Sequence, residues 1–554
     1  MPSRWRRIAR RIRCRNETPR QPQRLRDTED TRRTQPSVAL CLCDCISAFV
    51  SSAAGGAQCH GTDLDAHTEI ELKFLVPAGA RAALAAELAA RGQPRRAWRT
   101  SAYLDTPDLR LARAGLAWRM RREGGRWVQA LKAARGGALA RFEHEVLRPD
   151  ASPDPAAHAD TEPGRKLLAL LAEAREAGLE ACVRFQTQVR RLTRRVRTRG
   201  AVVDIALDEG RLTAAGAVQK LCELEFELVS GSAVAMLALA ERWRARFGLV
   251  LDPRNKAERG FHLAAGSPHP ALRKAALPGY AADAGATAAL GAVLDECLDQ
   301  IGRNAIGLAE GDPALRAEHV HQLRVGIRRL RSGLRAFRGW AVEPPAELVD
   351  GLRALFAALG ATRDRDVLGS GVSAELARAG APALALPAAV DAPDPATLVR
   401  AADAQRLLLA WVAWRAALDP QAPAPDALKR LARQRLRGWH KAIAESCRAF
   451  DELDGPALHE LRKRVKRQRY ALEFFAPLLP RKAAACHLQA LAAAQLGLGE
   501  INDLGVARAH YQALVARDPA AWFAVGWLTA RIAEVREGAR EDMARLGAVA
   551  ALPR

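Results

Sequence analysis

From His67 onward the chain alternates apolar and charged residues with the period of an extended strand. Glu69, Glu71 and Lys73 fall on one face of the run 69–74, and Ile70, Leu72 and Phe74 on the other. The same pattern returns far downstream, where Glu223, Glu225 and Glu227 alternate with Leu224, Phe226 and Leu228. Between them, 103–107 ends an extended run in a turn, and 116–122 and 127–132 flank Glu123-Gly124-Gly125-Arg126, which predicts a hairpin. Runs at 141–146, 185–196, 201–207 and 221–229 complete an antiparallel β set. Segments 80–91, 163–178 and 233–247 read as helices.

Beyond a Pro- and Gly-bearing linker at 266–281, the pattern is helical to the end, with Pro-rich breaks at 386–395 and 419–426. This half contains an internal repeat. The run His321-Gln-Leu-Arg324-Val-Gly-Ile-Arg328-Arg329-Leu-Arg331 resembles His459-Glu-Leu-Arg462-Lys463-Arg-Val-Lys466-Arg467-Gln-Arg469. Each copy is followed by a Gly/Asp signature, at 359–366 and 498–503. On a helix His321, Arg324, Arg328, Arg331 and Arg335 form one stripe, opposite Leu323, Ile327, Leu330, Leu334 and Phe337. His459, Arg462, Lys466 and Arg469 repeat it against Leu461, Val465, Leu472 and Phe475. A charge run usually marks a solvated face, but two faces of one sign repel themselves, which points to an anionic partner.

Length and charge sharpen this picture. A chain of 554 residues is too long for one core, so several domains are expected. Lys plus Arg outnumber Asp plus Glu by 85 to 62, a net charge of +23 that favours nucleic acid, polyphosphate or an acidic surface as partner. Five of the ten cysteines lie in the first 60 residues and the rest are scattered singly, which implies neither a disulfide framework nor a zinc knuckle. A reducing cytoplasm is the simplest location. Residues 1–66 read as a disordered or misassigned extension, and their apolar stretch 38–54 is too short and broken to span a bilayer.

Several charged strands in order are hard to reconcile with an open, wetted sheet. Acidic and basic rows converging on one space form instead a barrel with a charged lumen whose apolar faces are buried outward under helices, the inverse of a barrel that packs its own core. In that lumen Glu69, Glu71, Asp208, Glu223 and Glu225 offer a hard-oxygen cage for Mg²⁺ or Mn²⁺. Lys73, Arg119, Arg121, Lys132, Arg141 and Arg191 are placed to grip phosphate oxygens.

These residues resemble the CYTH family of triphosphate tunnel metalloenzymes over about 67–263. The matching elements are Glu69-x-Glu71-x-Lys73, Tyr103-x-Asp105-Thr106, Arg119-x-Arg121, Leu131-Lys132, Arg141-x-Glu143-x-Glu145, Glu223-x-Glu225-x-Glu227 and Asn255-Lys256-x-x-Arg259-Gly260, where Asn255 replaces the family's serine. Which of Arg190 and Arg191, and of Asp204 and Asp208, belongs to the pattern depends on register. The resemblance implies a tunnel of eight antiparallel strands over 67–265 that hydrolyses or cyclises triphosphate compounds with a divalent metal. It adds Lys256 to the substrate contacts and places Lys73 and Glu225 in the chemistry; the general base is one of the late glutamates.

The helical half resembles the CHAD domain over about 282–548. That family implies two four-helix halves with a basic groove for inorganic polyphosphate, here His321, Arg324, Arg328, Arg331, His459, Arg462, Lys466 and Arg469. One histidine per helix without nearby carboxylates is poor zinc chemistry. The expected activity is hydrolysis of inorganic triphosphate to pyrophosphate and phosphate, with no specific nucleic acid and no membrane as partner. A class IV-like adenylate cyclase, a thiamine triphosphatase and a non-catalytic polyphosphate-binding protein are the alternatives.

Overall fold

The computed structural model describes residues 67–549, apart from 91, 135, 136, 138, 368–371, 385–392 and 420–427. The expectations for residues 1–66, for most of the two Pro-rich breaks and for the side chains of the first Gly/Asp signature lie outside the described residues.

Among the described residues nine strands form one sheet: β1 (Thr68–Leu75), β2 (Arg95–Asp105), β3 (Leu116–Glu123), β4 (Arg126–Ala134), β5 (Ala140–Arg148), β6 (Cys182–Thr198), β7 (Ala201–Ala214), β8 (Ala217–Gly231) and the two-residue β9 (Val250–Leu251). Their order is β5-β4-β3-β2-β6-β7-β8-β1-β9, and a further β5–β1 pairing closes β1 to β8 into an eight-stranded antiparallel barrel. The register places Lys73 opposite Glu225, Glu71 opposite Glu227, and Arg191 opposite Asp208. Closure brings segments more than a hundred residues apart onto one interior.

The hairpin from β7 to β8 is longer than the pattern predicts. It turns on Ala215 and Gly216, both at positive φ (47° and 84°), as a two-residue hairpin turn requires. Ala-Gly lacks the Asn-Gly or Asp-Gly signal, whereas Asp208-Glu-Gly-Arg211 imitates a turn. Gly210 lies within β7, where a Cβ would sit 1.9 Å from the Gln188 carbonyl oxygen of β6. That glycine marks close strand approach, not chain reversal.

Helices α1 (Arg81–Ala90), α2 (Arg110–Arg113), α3 (Glu162–Glu176), α4 (Ala233–Phe247) and α5 (Lys256–Ala264) decorate the barrel. The outward faces of β1, β7 and β8 (Leu72, Phe74, Val203, Ile205, Leu224, Phe226) pack with Leu84 and Leu88 of α1 and Met236, Leu237 and Trp243 of α4. Trp118, Met120 and Leu131 pack outward with Leu167 of α3. Gln129, polar on this apolar face, is fully buried and exchanges two hydrogen bonds with the backbone of Asp154 (2.6 and 2.7 Å). Most of the apolar core therefore lies outside the barrel wall; on the inner face Tyr103, Phe185, Val189, Leu212 and Leu221 pack with Phe261 of α5 at one end, and the rest of the interior is largely charged.

The remaining helices are α6 (Ala286–Glu310), α7 (Arg316–Phe337), α8 (Ala346–Val367), α9 (Ser373–Arg378), α10 (Pro395–Arg400), α11 (Ala402–Ala416), α12 (Leu428–Arg448), α13 (Gly455–Phe474), α14 (Arg481–Leu514) and α15 (Ala521–Ala548). Helices α6, α7, α8 and α11 pack together, as do α12 to α15, and α7 meets α13 across the two halves. Leu323, Ile327, Leu330 and Phe337 of α7, and Leu461, Val465, Leu472 and Phe475 beside them in the second half, are buried, while Leu334 is half-buried. Leu409 and Val412 of α11 enter the core formed by β1, β8 and α4, and Gln405 accepts from the Leu251 amide of β9 (2.7 Å). Barrel and helical region thus share a core. No helix among the described residues is long and apolar enough to cross a membrane.

Candidate active site and polyanion groove

The barrel encloses part of a cavity of about 1090 Å³. Each strand that alternates in sequence sends its charged face into it. From β1 come Glu69, Glu71 and Lys73; from β3, Arg119 and Arg121; from β4, Lys132; from β5, Arg141, Glu143 and Glu145. Arg191 of β6, Asp208 of β7, Glu225 and Glu227 of β8, and Lys256 at the start of α5 complete the set. The structure gives the members of each ambiguous pair different surroundings. Arg191 points inward, while Arg190 pairs with Glu209 on the exposed side (2.7 Å). Asp208 joins the central cluster, and Asp204 pairs with Arg195 (2.8 Å) farther along the strands.

The interior charges meet in alternation. Lys73 Nζ lies 3.1 Å from Glu71 and 3.5 Å from Glu225, and so bridges β1 and β8. Lys132 pairs with Glu69 (2.5 Å) and Glu143 (3.0 Å), Arg141 with Glu71 (2.5 Å), and Arg119 and Arg121 with Glu145 (3.3 and 3.0 Å). Arg191 holds Asp208 with two hydrogen bonds (2.6 and 2.7 Å) and also meets Glu225. Lys256 contacts Asp208 (2.6 Å), Glu225 (2.8 Å) and Glu223. Charges withdrawn from bulk water demand such partners.

Carboxylate oxygens of Asp208, Glu223 and Glu225 all lie within 4.8 Å of one another. This hard-oxygen set fits a small divalent cation, and its compactness brings three of the five expected metal carboxylates together. Glu71 is linked to this cluster through Lys73, which it shares with Glu225, and Glu69 sits farther along β1 with Lys132. Glu223 does not line the cavity; it is buried behind the other two, held by Lys256 and Arg259 (3.3 Å).

Neighbours set each carboxyl differently. Burial opposes ionisation of Glu71, but Lys73, Lys132 and Arg141 outweigh it and hold the carboxyl at about 2. Burial is likewise outweighed at Asp208 by Arg191 and Lys256, and at Glu225 by Lys256, Arg191 and Lys73, so both stay below the usual carboxylate range. Burial raises Glu69 and Glu223. Glu227 is the exception of interest: burial, with Glu69 and Glu225 beside it, pushes its carboxyl up to about 7. Glu143 and Glu145 entered only through the family pattern and Glu227 only as one of the late glutamates, although strand alternation alone puts all three on the charged face.

Helix α5 packs on β6, β7 and β8 at the end where β1 finishes. Asn255 caps it by accepting from the Glu258 amide (2.8 Å), so asparagine replaces serine here with the cap retained. Gly260 lies on Phe185, where a Cβ would come within 2.1 Å of the ring, and Phe185 stacks on Tyr103 (4.3 Å). This packing holds Lys256 over the acidic cluster.

The second charged feature is a groove of about 710 Å³ between α7, α8 and α13. Arg324, Arg328 and Arg331 face His459, Arg462 and Lys466 across it. His321, one turn before Arg324, and Arg469, whose guanidinium pairs with Glu473 (3.0 Å), do not line it. Arg335, the last residue of the predicted stripe, lines the groove too, and Arg353, Lys463 and Arg467 add positive charge that was not expected at the site. Phe356 supports Arg324 from below at 4.1 Å, and its carbonyl accepts from that guanidinium (2.9 Å). His459 Nδ1 lies 3.0 Å from Asn502 Oδ1, and Arg462 lies 3.7 Å from Asp503, so the second Gly/Asp signature orients the groove helix. Burial together with Arg328 and Arg462 pushes Lys466 down to about 7.

Comparison with known families agrees with this division. The CYTH domain model matches residues 67–261, and the CHAD domain model matches residues 292–512. The chain carries a CYTH domain followed by a CHAD domain. The CYTH domain points to a triphosphatase- or cyclase-type enzyme that uses divalent metal ions. Similar solved structures include the CHAD domain from the plant Ricinus communis, 32% identical over 51% of this chain and 99% of that one, with a TM-score of 0.42. A putative adenylate cyclase from Bacillus halodurans is 18% identical over 35% of this chain and 97% of that one (TM-score 0.25). A putative adenylyl cyclase from Hippeastrum, described as having a dominant triphosphatase activity, is 17% identical over 36% and 96% (TM-score 0.27).

Proposed function

We propose that the tunnel hydrolyses inorganic triphosphate to pyrophosphate and phosphate with Mg²⁺ or Mn²⁺, and that the helical domain binds inorganic polyphosphate along its groove. The observation that carries the first half is the interleaving of carboxylates and cations around one lumen. Phosphoanhydride cleavage needs cations on the phosphate oxygens, a positioned water and charge relief on the leaving group. A divalent ion held by Asp208, Glu223 and Glu225, with Glu71 and Glu69 farther along the lumen, would supply charge neutralisation when bound.

The remaining roles fall to the chain. Lys73, between Glu71 and Glu225, and Lys132, Arg119, Arg121, Arg141, Arg191 and Lys256 surround the space a phosphate chain would fill. Glu225, held ionised, serves the metal. Among the late glutamates, Glu227 suits the general base. Glu223 and Glu225 are engaged by Lys256, whereas a carboxyl near 7 both binds and releases a proton at neutral pH.

The cavity continues beyond the barrel, which leaves an opening for a group attached to the triphosphate and keeps class IV-like adenylate cyclase or thiamine triphosphatase activity as the second reading. A substrate panel separates them: triphosphate, ATP, thiamine triphosphate and long polyphosphate, each with Mg²⁺ and Mn²⁺, followed by phosphate, pyrophosphate and cyclic AMP. Triphosphate is expected to be turned over fastest, with pyrophosphate and phosphate in equal amounts. Faster turnover of ATP or thiamine triphosphate would transfer the assignment to that substrate. Retention on polyphosphate with no phosphate release under either metal would reduce the protein to a binding module.

A further inference from the structure

The cavity does not end at the barrel. It continues past α5 into a crevice walled by α6, so Asp295, Asp299 and Arg303 of the helical domain line the same space as Lys73 and Glu225. Arg303 makes the contact between the two: its guanidinium donates to Glu258 of α5 and to Asp299 one turn back on its own helix (2.6 Å). Glu258 stands two residues after Lys256, the residue that meets Asp208, Glu223 and Glu225. Behind Arg303 the frame is firm. Arg273 of the connecting segment ties Asp299 to Glu296 (2.7 and 2.6 Å), and Asn304 donates to the Arg273 carbonyl (2.8 Å).

Helix α5 has only nine residues, too short to hold its place by itself. Its apolar side is fixed by Phe185, and its charged residues are held on the barrel side by the Lys256 and Arg259 contacts with Glu223 and on the helical-domain side by Arg303. The Arg303–Glu258 pair is partly open to solvent, at 26% and 23% exposure, so it adds little to global stability. What it does fix is the orientation of a helix whose first residue sits in the acidic cluster.

Resting on the tunnel reading, we propose that Arg303 is a positioning residue supplied by the helical domain: through Glu258 it holds α5 so that the Lys256 ammonium stays within the Asp208–Glu223–Glu225 cluster. There the ammonium serves substrate phosphates and moderates the cluster's attraction for a divalent cation. Loss of Arg303 lets Lys256 drift, leaving the cluster more negative and the phosphate site less positive. The two consequences have opposite signs, which simple loosening of the fold does not produce.

The test uses the full chain and two readouts: Mn²⁺ binding by calorimetry without substrate, and KM and kcat for triphosphate. R303A is expected to bind Mn²⁺ about three- to tenfold more tightly and to raise KM by a similar factor. R303K, and the exchanged pair E258R with R303E, are expected to restore both, and in a K256A background R303A is expected to change neither. Unchanged Mn²⁺ affinity and KM in R303A, failure of both R303K and the exchanged pair to rescue, or no Mn²⁺ binding by the wild type would overturn the proposal. A wild type that binds Mn²⁺ but leaves triphosphate intact would instead remove the tunnel reading, and the Mn²⁺ titrations would still decide the role of Arg303.

Discussion

Tunnel and groove both gather charged side chains on regular elements, yet they hold those charges in opposite ways. Among the described residues, the tunnel cavity is lined by eleven Lys and Arg against twelve Asp and Glu. The groove is lined by ten against two. In the tunnel nearly every charge has a partner of the other sign within about 3 Å, as at Lys73, Lys132 and Arg191. In the groove burial lowers the proton affinity of Arg462 and Lys466, and the nearby Arg328 guanidinium lowers it further. A balanced lumen can take up metal and phosphate together, since each displaces part of an existing pair. An unbalanced groove gains most from a ligand that brings only negative charge. The same residue types therefore suit catalysis in one place and capture in the other.

The strongest way to break this contrast is to remove one tunnel carboxylate. Glu225→Gln is expected to lower phosphate release at least about 100-fold while leaving polyphosphate retention unchanged, with Glu69→Gln and Glu71→Gln close behind. Wild-type turnover in all three would dismiss the metal-cage assignment. The reciprocal experiment pairs Arg324→Ala with Arg462→Ala. Loss of two guanidinium contacts is expected to weaken long-chain polyphosphate binding about tenfold or more and to spare triphosphate hydrolysis. Equal affinity for polyphosphate, measured by calorimetry at fixed salt, would move the ligand elsewhere on the surface.

A smaller effect sharpens the comparison by pH. In the free groove Lys466 has its pKa pushed down to about 7, and a bound polyanion raises it. Binding then takes up a proton between pH 7 and the raised value, so affinity falls as pH rises from 7 to 9, by at most about tenfold per unit, and levels off below 7. Lys466→Arg is expected to flatten the profile. An unchanged slope in that variant would assign the linkage to another group.

Much of this was legible before folding. A period of two put Glu69, Glu71 and Lys73 on one face and Ile70, Leu72 and Phe74 on the other, because the pleat permits no other division of neighbours. A period of 3.6 separated Arg324, Arg328 and Arg331 from Leu323, Ile327 and Leu330 for the same kind of reason. The β7–β8 hairpin was harder to read, since Gly210 looks like a turn and Ala215 does not. Helix α5 was recognisable as a motif but not as a lid on the barrel, because that packing depends on Phe185 from a strand some seventy residues earlier.

What the chain determined alone is which side chains share a face; what only the tertiary structure decided is which faces meet. Arg190 and Arg191 are equivalent in any local pattern, and a one-residue slip in β6 would exchange them. Pairing with β7 chose Arg191, closure of β5 on β1 set Lys132 beside Glu69, and docking of α6 carried Arg303 to Glu258. Charge interactions act across space between residues remote in sequence, so the identity of each partner, and with it the proton affinity of Glu227 or Lys466, is fixed by the closed barrel and the packed helices.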